Sequence, residues 1–121
     1  MKALQQFLTF DIDRFLRDKT LVVVSISDLI DYDSTKIVGT KVECAIIKDD
    51  TPYILGKDGQ AITNLYEKLV IKIRYPHTVD VTVGTEVTPI NATATVYGDY
   101  SNKLSVTAEG LAVKHVNKDK G

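Results

Sequence analysis

Residues 66–76, YEKLVIKIRYP, alternate with a period of two. Leu69, Ile71 and Ile73 fall on one side, and Tyr66, Lys68, Val70, Lys72 and Arg74 on the other. An extended strand separates residues in this way, because successive side chains leave it on opposite faces. One face can then be buried while the other shows three cations. Pro76 closes the run, since proline has no N–H to give to a sheet ladder.

The same chemistry recurs from Leu21 onward. The stretches TLVVVSISDLID (20–31) and KIVGTKVECAIIK (36–48) are rich in β-branched residues and are separated by the polar turn DYDSTK. KDDTPYILGKDGQAIT (48–63) holds a hairpin signal at Asp58-Gly59. HTVDVTVGTEVTPI (77–90) is short and irregular in pattern, with a turn expected at Gly84. NATATVYGDY and KLSVTAEGLAVKHV supply the last two strands, joined by a turn at DYSN. Val42, Cys44 and Ile46, then Ala92, Ala94 and Val96, then Leu104, Val106 and Ala108, extend the inward face.

Residues 1–18 carry the helical pattern of the chain. Leu4, Phe7, Leu8, Ile12, Phe15 and Leu16 recur at spacings of three and four, and Asp11 is placed to cap a second turn, so one helix and two short helices both fit. The expected fold is all-β with this short N-terminal helical segment. About five long strands point to a small closed barrel of OB type, because closure removes exposed strand edges. Gly39 and Gly110 interrupt strand patterns as bulges or tight barrel bends do. Without repeats or a linker, residues 1–121 read as one domain, with 117–121 as a flexible tail.

Composition narrows the function. Fifteen basic and sixteen acidic residues give a net charge of −1, so no global field draws in a polyanion and any such contact must be local. The single cysteine, Cys44, cannot form an internal disulfide, and a reducing, cytoplasmic compartment with a buried structural thiol is expected. The start MKALQQFLTFDIDRF lacks an uninterrupted apolar stretch, so no signal peptide is expected there. The run LVVVSI falls far short of the roughly 18 residues of a membrane span.

No catalytic constellation is present. His77 and His115 belong to no ligand pair, and the acidic pairs Asp11/Asp13, Asp31/Asp33 and Asp49/Asp50 match no calcium loop, so neither metal nor cofactor is expected. GKDG (56–59) lacks the glycine spacing and the Lys-Ser/Thr of a phosphate loop. Nor is the chain expected to be an enzyme. What remains is binding through a surface. Single-strand binding needs cations that follow phosphates and aromatic faces on which bases stack. In an OB barrel that platform lies on the second and third strands and adjoining loops. The candidates are Tyr66, Lys68, Lys72 and Arg74 on the third strand, Lys41 on the second, Tyr53 and Lys57 on the intervening hairpin, and Tyr97, Tyr100 and Lys103 around the last turn.

At VGTEV and NATATVYGDYSNKLSVTAEGLAV, together with IVGTKVECAIIKDDTPY and NLYEKLVIKIRYP, the chain resembles small single-stranded DNA-binding proteins of lactococcal phages, over nearly all of residues 20–116. The resemblance implies an OB fold, non-sequence-specific single-stranded DNA binding, and a role in phage DNA replication or recombination. It also implies a homo-oligomer, a dimer first, with phage recombination or replication proteins as further partners. The chain departs from bacterial single-strand binders in having no Trp, in holding all three Phe near the N-terminus, and in a basic ending, KHVNKDKG, where they carry an acidic tail. The competing expectation is a small β-barrel assembly protein of a virion, without nucleic-acid affinity.

Overall fold

The computed structural model describes residue 1 and residues 10–53, 63–98 and 103–113. One helix, α1 (Ile12–Leu16), precedes seven strands: β1 (Lys19–Ile30), β2 (Ile37–Asp49), β3 (Lys68–Arg74), β4 (Glu86–Ile90), β5 (Thr93–Tyr97), β6 (Lys103–Thr107) and β7 (Gly110–Val113). All seven belong to one sheet in the order β5-β6-β3-β2-β1-β4-β7. Neighbours run antiparallel except β3 and β6, which are parallel. The ladder does not close on itself, and β5 and β7 are its two ends.

Among the described residues seven strands replace the expected five, because the stretch read as irregular (77–90) ends in a strand, β4, and the last expected strand is broken into β6 and β7. β4 and β5 are separated by Asn91 and Ala92, and β6 and β7 by Ala108 and Glu109. At the break Asn91 takes φ 48, a left-handed conformation that asparagine tolerates better than most residues. The Glu109 N–H donates to the Ile90 carbonyl at 2.9 Å and the Ala108 N–H to the Lys72 carbonyl at 3.0 Å. The two kinks therefore coincide, and across them the strands change partners. β4 lies against β1 and β7, whereas β5 lies against β6, which in turn lies against β3.

The period-two reading of β3 holds. Leu69, Ile71 and Ile73 are buried, as are Val42, Cys44 and Ile46 on β2. With Leu21, Val23, Val87, Ala94, Val106 and Ala108 they form one apolar core. Each fully buried aliphatic side chain contributes about 1.5–3 kcal/mol relative to exposure. Val96, expected inside, is exposed instead, at the end of β5. Burial pushes the Cys44 thiol up to about 11, with Glu43 adding to the shift. A Cβ at Gly39 would overlap the Ile73 carbonyl oxygen and approach the Arg74 Cα to 2.8 Å. Glycine is needed there because two backbones meet, next to a register shift between Leu29 and Ile30. Gly84 takes φ 93 at the expected turn.

Within its described part, the N-terminal segment is less helical than its spacing predicts. Phe10 makes an isolated antiparallel bridge to Ala94, and Lys19 already belongs to β1. Only five residues form the helix, capped by Asp11, whose Oδ1 accepts from the Arg14 N–H at 3.1 Å. A helix this short is not stable alone, so packing must hold it. Ile12 enters the core, and Phe10 and Phe15 meet edge to face at 5.2 Å. The Asp58-Gly59 turn, the DYSN turn and the 117–121 tail lie outside the described residues.

Candidate nucleic-acid interface

The register of β2 against β3 sets Lys41 opposite Lys72, Glu43 opposite Val70, and Ala45 opposite Lys68. On the other side of β3, Val70 lies beside Ser105 and Lys72 beside Thr107. One strand further, Thr95 faces Ser105, Thr93 faces Thr107, and Tyr97 faces Lys103. Because residues in register share a face, the outward side of β2-β3-β6-β5 carries Lys41, Lys68, Lys72, Arg74 and Lys103 around a centre made by Val70 and Ser105. Lys41 and Lys72, two like charges, are directly opposed across the ladder. Among the described residues the salt bridges are Lys19–Asp49 and Lys48–Asp50, so none of these five cations is paired with a described carboxylate.

The face is grooved. A depression of about 420 Å³ is lined by Val70, Lys72, Thr95, Tyr97, Leu104 and Ser105. It adjoins another of about 440 Å³ toward Lys68 and Lys103, which shares Val70, Tyr97 and Leu104 and reaches Phe15 of α1. A third, of about 360 Å³, lies at the Arg74 end. Together they follow β3 from one end to the other. Near the Arg74 end the Asp31 carboxyl is held below its usual range, mainly by hydrogen bonds from Ser34, with Arg74 a minor contributor.

Six expected residues share this face: Lys41, Lys68, Lys72, Arg74, Tyr97 and Lys103. Tyr66 stands exposed at the entry to β3, with φ 70 and its N–H donated to the Ile46 carbonyl at 2.7 Å. A bulky residue in the left-handed region is costly, and here the constraint comes from the chain's approach to β2. Tyr53 does not join the face. Its hydroxyl donates to Asp49 Oδ2 at 2.8 Å and accepts from Asn64 Nδ2 at 2.8 Å. Lys57 and Tyr100 lie outside the described residues.

Tyr53 belongs to a different cluster, built around a buried ion pair. Lys19 Nζ lies 3.5 Å from Asp49 Oδ1, and both side chains are fully shielded from solvent. The same ammonium donates to the Phe15 carbonyl at 2.8 Å and to the Thr51 hydroxyl at 2.9 Å, and sits 3.9 Å from the centre of the Phe15 ring. Burial alone would raise the Asp49 carboxyl. The Asn64 N–H, with Thr51 and Tyr53, outweighs it and holds the group far below the usual carboxylate range. This cluster ties α1 to the ends of β1 and β2 and to the segment entering β3.

Thr93, Thr95, Ser105 and Thr107, which line the far side of the grooves, were not singled out from the sequence, although the alternation in NATAT marks them as one outward row. Tyr75 has the same odd-numbered parity as Leu69, Ile71 and Ile73 in the period-two pattern, but it is exposed just beyond β3. Among the described residues no group of three His, Cys, Asp or Glu is placed to hold a metal ion, and no helix is long and apolar enough to cross a membrane. No family model matches the chain, and neither a curated protein nor a solved structure matches it.

Proposed function

We propose that this protein binds single-stranded DNA without sequence specificity, through the outer face of β2-β3-β6-β5. The observation that carries the proposal is the opposition of Lys41 and Lys72, flanked by Lys68, Arg74 and Lys103 with no described carboxylate paired to any of them. Like charges directly opposed on a sheet destabilise it, and a polyanion laid along the face removes that cost. Tyr97 supplies an aromatic surface beside the groove for a base. The strand path supports an OB-type barrel: taking β4 with β5 and β6 with β7 as two kinked strands leaves five, and that hairpin touches β1 with one half and β3 with the other. A place in phage DNA replication or recombination, inside the host cytoplasm, belongs to the same proposal.

The test is fluorescence anisotropy with labelled oligo-dT at two salt concentrations. Phosphate contacts from the four lysines predict a log–log salt slope of about −3 for a single strand. Absence of binding at low salt rejects the proposal. A second reading, a β-sheet assembly protein, is favoured by the exposed Ile26, Ile30, Tyr32 and Ile37 on the β1–β2 hairpin. A dimer of the DNA-binding form would also use this apolar hairpin. Sedimentation with and without oligonucleotide separates the two, since the assembly reading predicts association and no DNA affinity.

A further inference from the structure

The depression at the Arg74 end places an arginine and a glutamate around one space. Arg74, Tyr75, His77, Asn91, Thr107 and Glu109 line its 360 Å³, within the range of small-ligand pockets. Arg74 and Glu109 border the same space, yet no ion pair joins them. Glu109 Oε1 instead accepts from Asn91 Nδ2 at 3.1 Å. The carboxylate is thereby oriented while Oε2 stays open. Its position is fixed further by the Glu109 N–H bond to the Ile90 carbonyl, at the point where both kinked strands turn.

A carboxylate beside a phosphate-tracking face repels the backbone of a nucleic acid, so a phosphate is the wrong occupant for this spot. A separated guanidinium and carboxylate call for a ligand with acceptors at one edge and donors at the other. Guanine is the nucleobase that matches: O6 and N7 accept from an arginine, and the adjacent N1–H and N2 amino group donate to a carboxylate. Thymine has one ring N–H, and adenine and cytosine each offer a single amino group. The exposed ring of Tyr75 provides a stacking surface at the same place. We infer that the Arg74–Glu109 depression is a guanine-preferring subsite at one end of an otherwise sequence-tolerant groove. This rests on the single-stranded DNA reading above, and gives it one position of base selectivity.

The experiment uses the full chain with labelled short oligo-dT and with the same oligomer carrying a single dG, dA or dC at each position in turn. At one position or more dG binds about fivefold tighter than dT or better, the lower end expected for a bidentate base contact, while dA and dC there do not. Glu109 is exposed, so Glu109→Gln leaves the fold and the oligo-dT affinity intact and abolishes the dG advantage. Equal binding of all oligomers by the wild type, or a dG advantage that survives in Glu109→Gln, overturns the subsite while leaving the groove in place. Failure to bind any oligomer, oligo-dT included, overturns the DNA-binding reading and the subsite with it.

Discussion

Two lysines, Lys19 on β1 and Lys72 on β3, lie in one sheet on either side of β2 and do opposite things. The Lys19 ammonium is shielded from water, 3.5 Å from Asp49, with further bonds to a carbonyl and a hydroxyl. Lys72 faces outward opposite another lysine and has no described carboxylate against it. A buried charge is tolerated when every donor finds a partner, and removing the partner leaves a large desolvation penalty. An outward charge costs the fold little and stays available to a ligand. The first lysine is used up in holding the chain together, and the second is free to act.

The largest test of that contrast is Asp49→Ala, which leaves Lys19 buried without its counter-charge. Denaturant unfolding is expected to show a loss of about 3–5 kcal/mol. The same pair gives a pH signature. Since the folded Asp49 carboxyl lies below its unfolded value, its stabilisation is complete above about pH 4 and drains away as pH falls further. Thermal melts of Asp49→Asn should therefore lack part of the acid-side decline seen in the wild type. A wild-type decline that Asp49→Asn leaves unchanged would place the acid-sensitive carboxylate elsewhere.

On the outer face the expected losses are in binding. Replacing Lys68 and Lys72 together by Ala should weaken oligo-dT binding and lower the salt slope by about 1.4, from the removal of two phosphate contacts. Unchanged binding would move the interface off β3. The tyrosines sharpen the comparison. Tyr97→Ala should cost about 1–3 kcal/mol of DNA affinity, the value of one stacked base. Tyr53→Phe should leave affinity alone and cost about 1 kcal/mol of stability, because its hydroxyl bonds Asp49 and Asn64. The smallest effect is that of Lys72→Ala on folding, within about 0.5 kcal/mol in chemical denaturation. A gain there would reflect relief of its repulsion with Lys41.

By itself the sequence determined which side of β2 and of β3 is inward. Leu69, Ile71 and Ile73, and Val42, Cys44 and Ile46, were legible because the two-residue period is a local property of an extended backbone. The turns at 31–36 and at Gly84, and the Asp11 cap, were legible for the same reason, as each depends on residues a few positions apart. What an outward residue meets is a long-range matter. Lys41 opposite Lys72, β6 parallel to β3, and the coincident kinks at Asn91 and Ala108–Glu109 follow from register between distant segments. Tyr53 and Lys19 look as exposed in sequence as Tyr97 and Lys72. Only the tertiary structure separates them, because burial of a polar group is decided by the partners that distant parts of the chain bring to it.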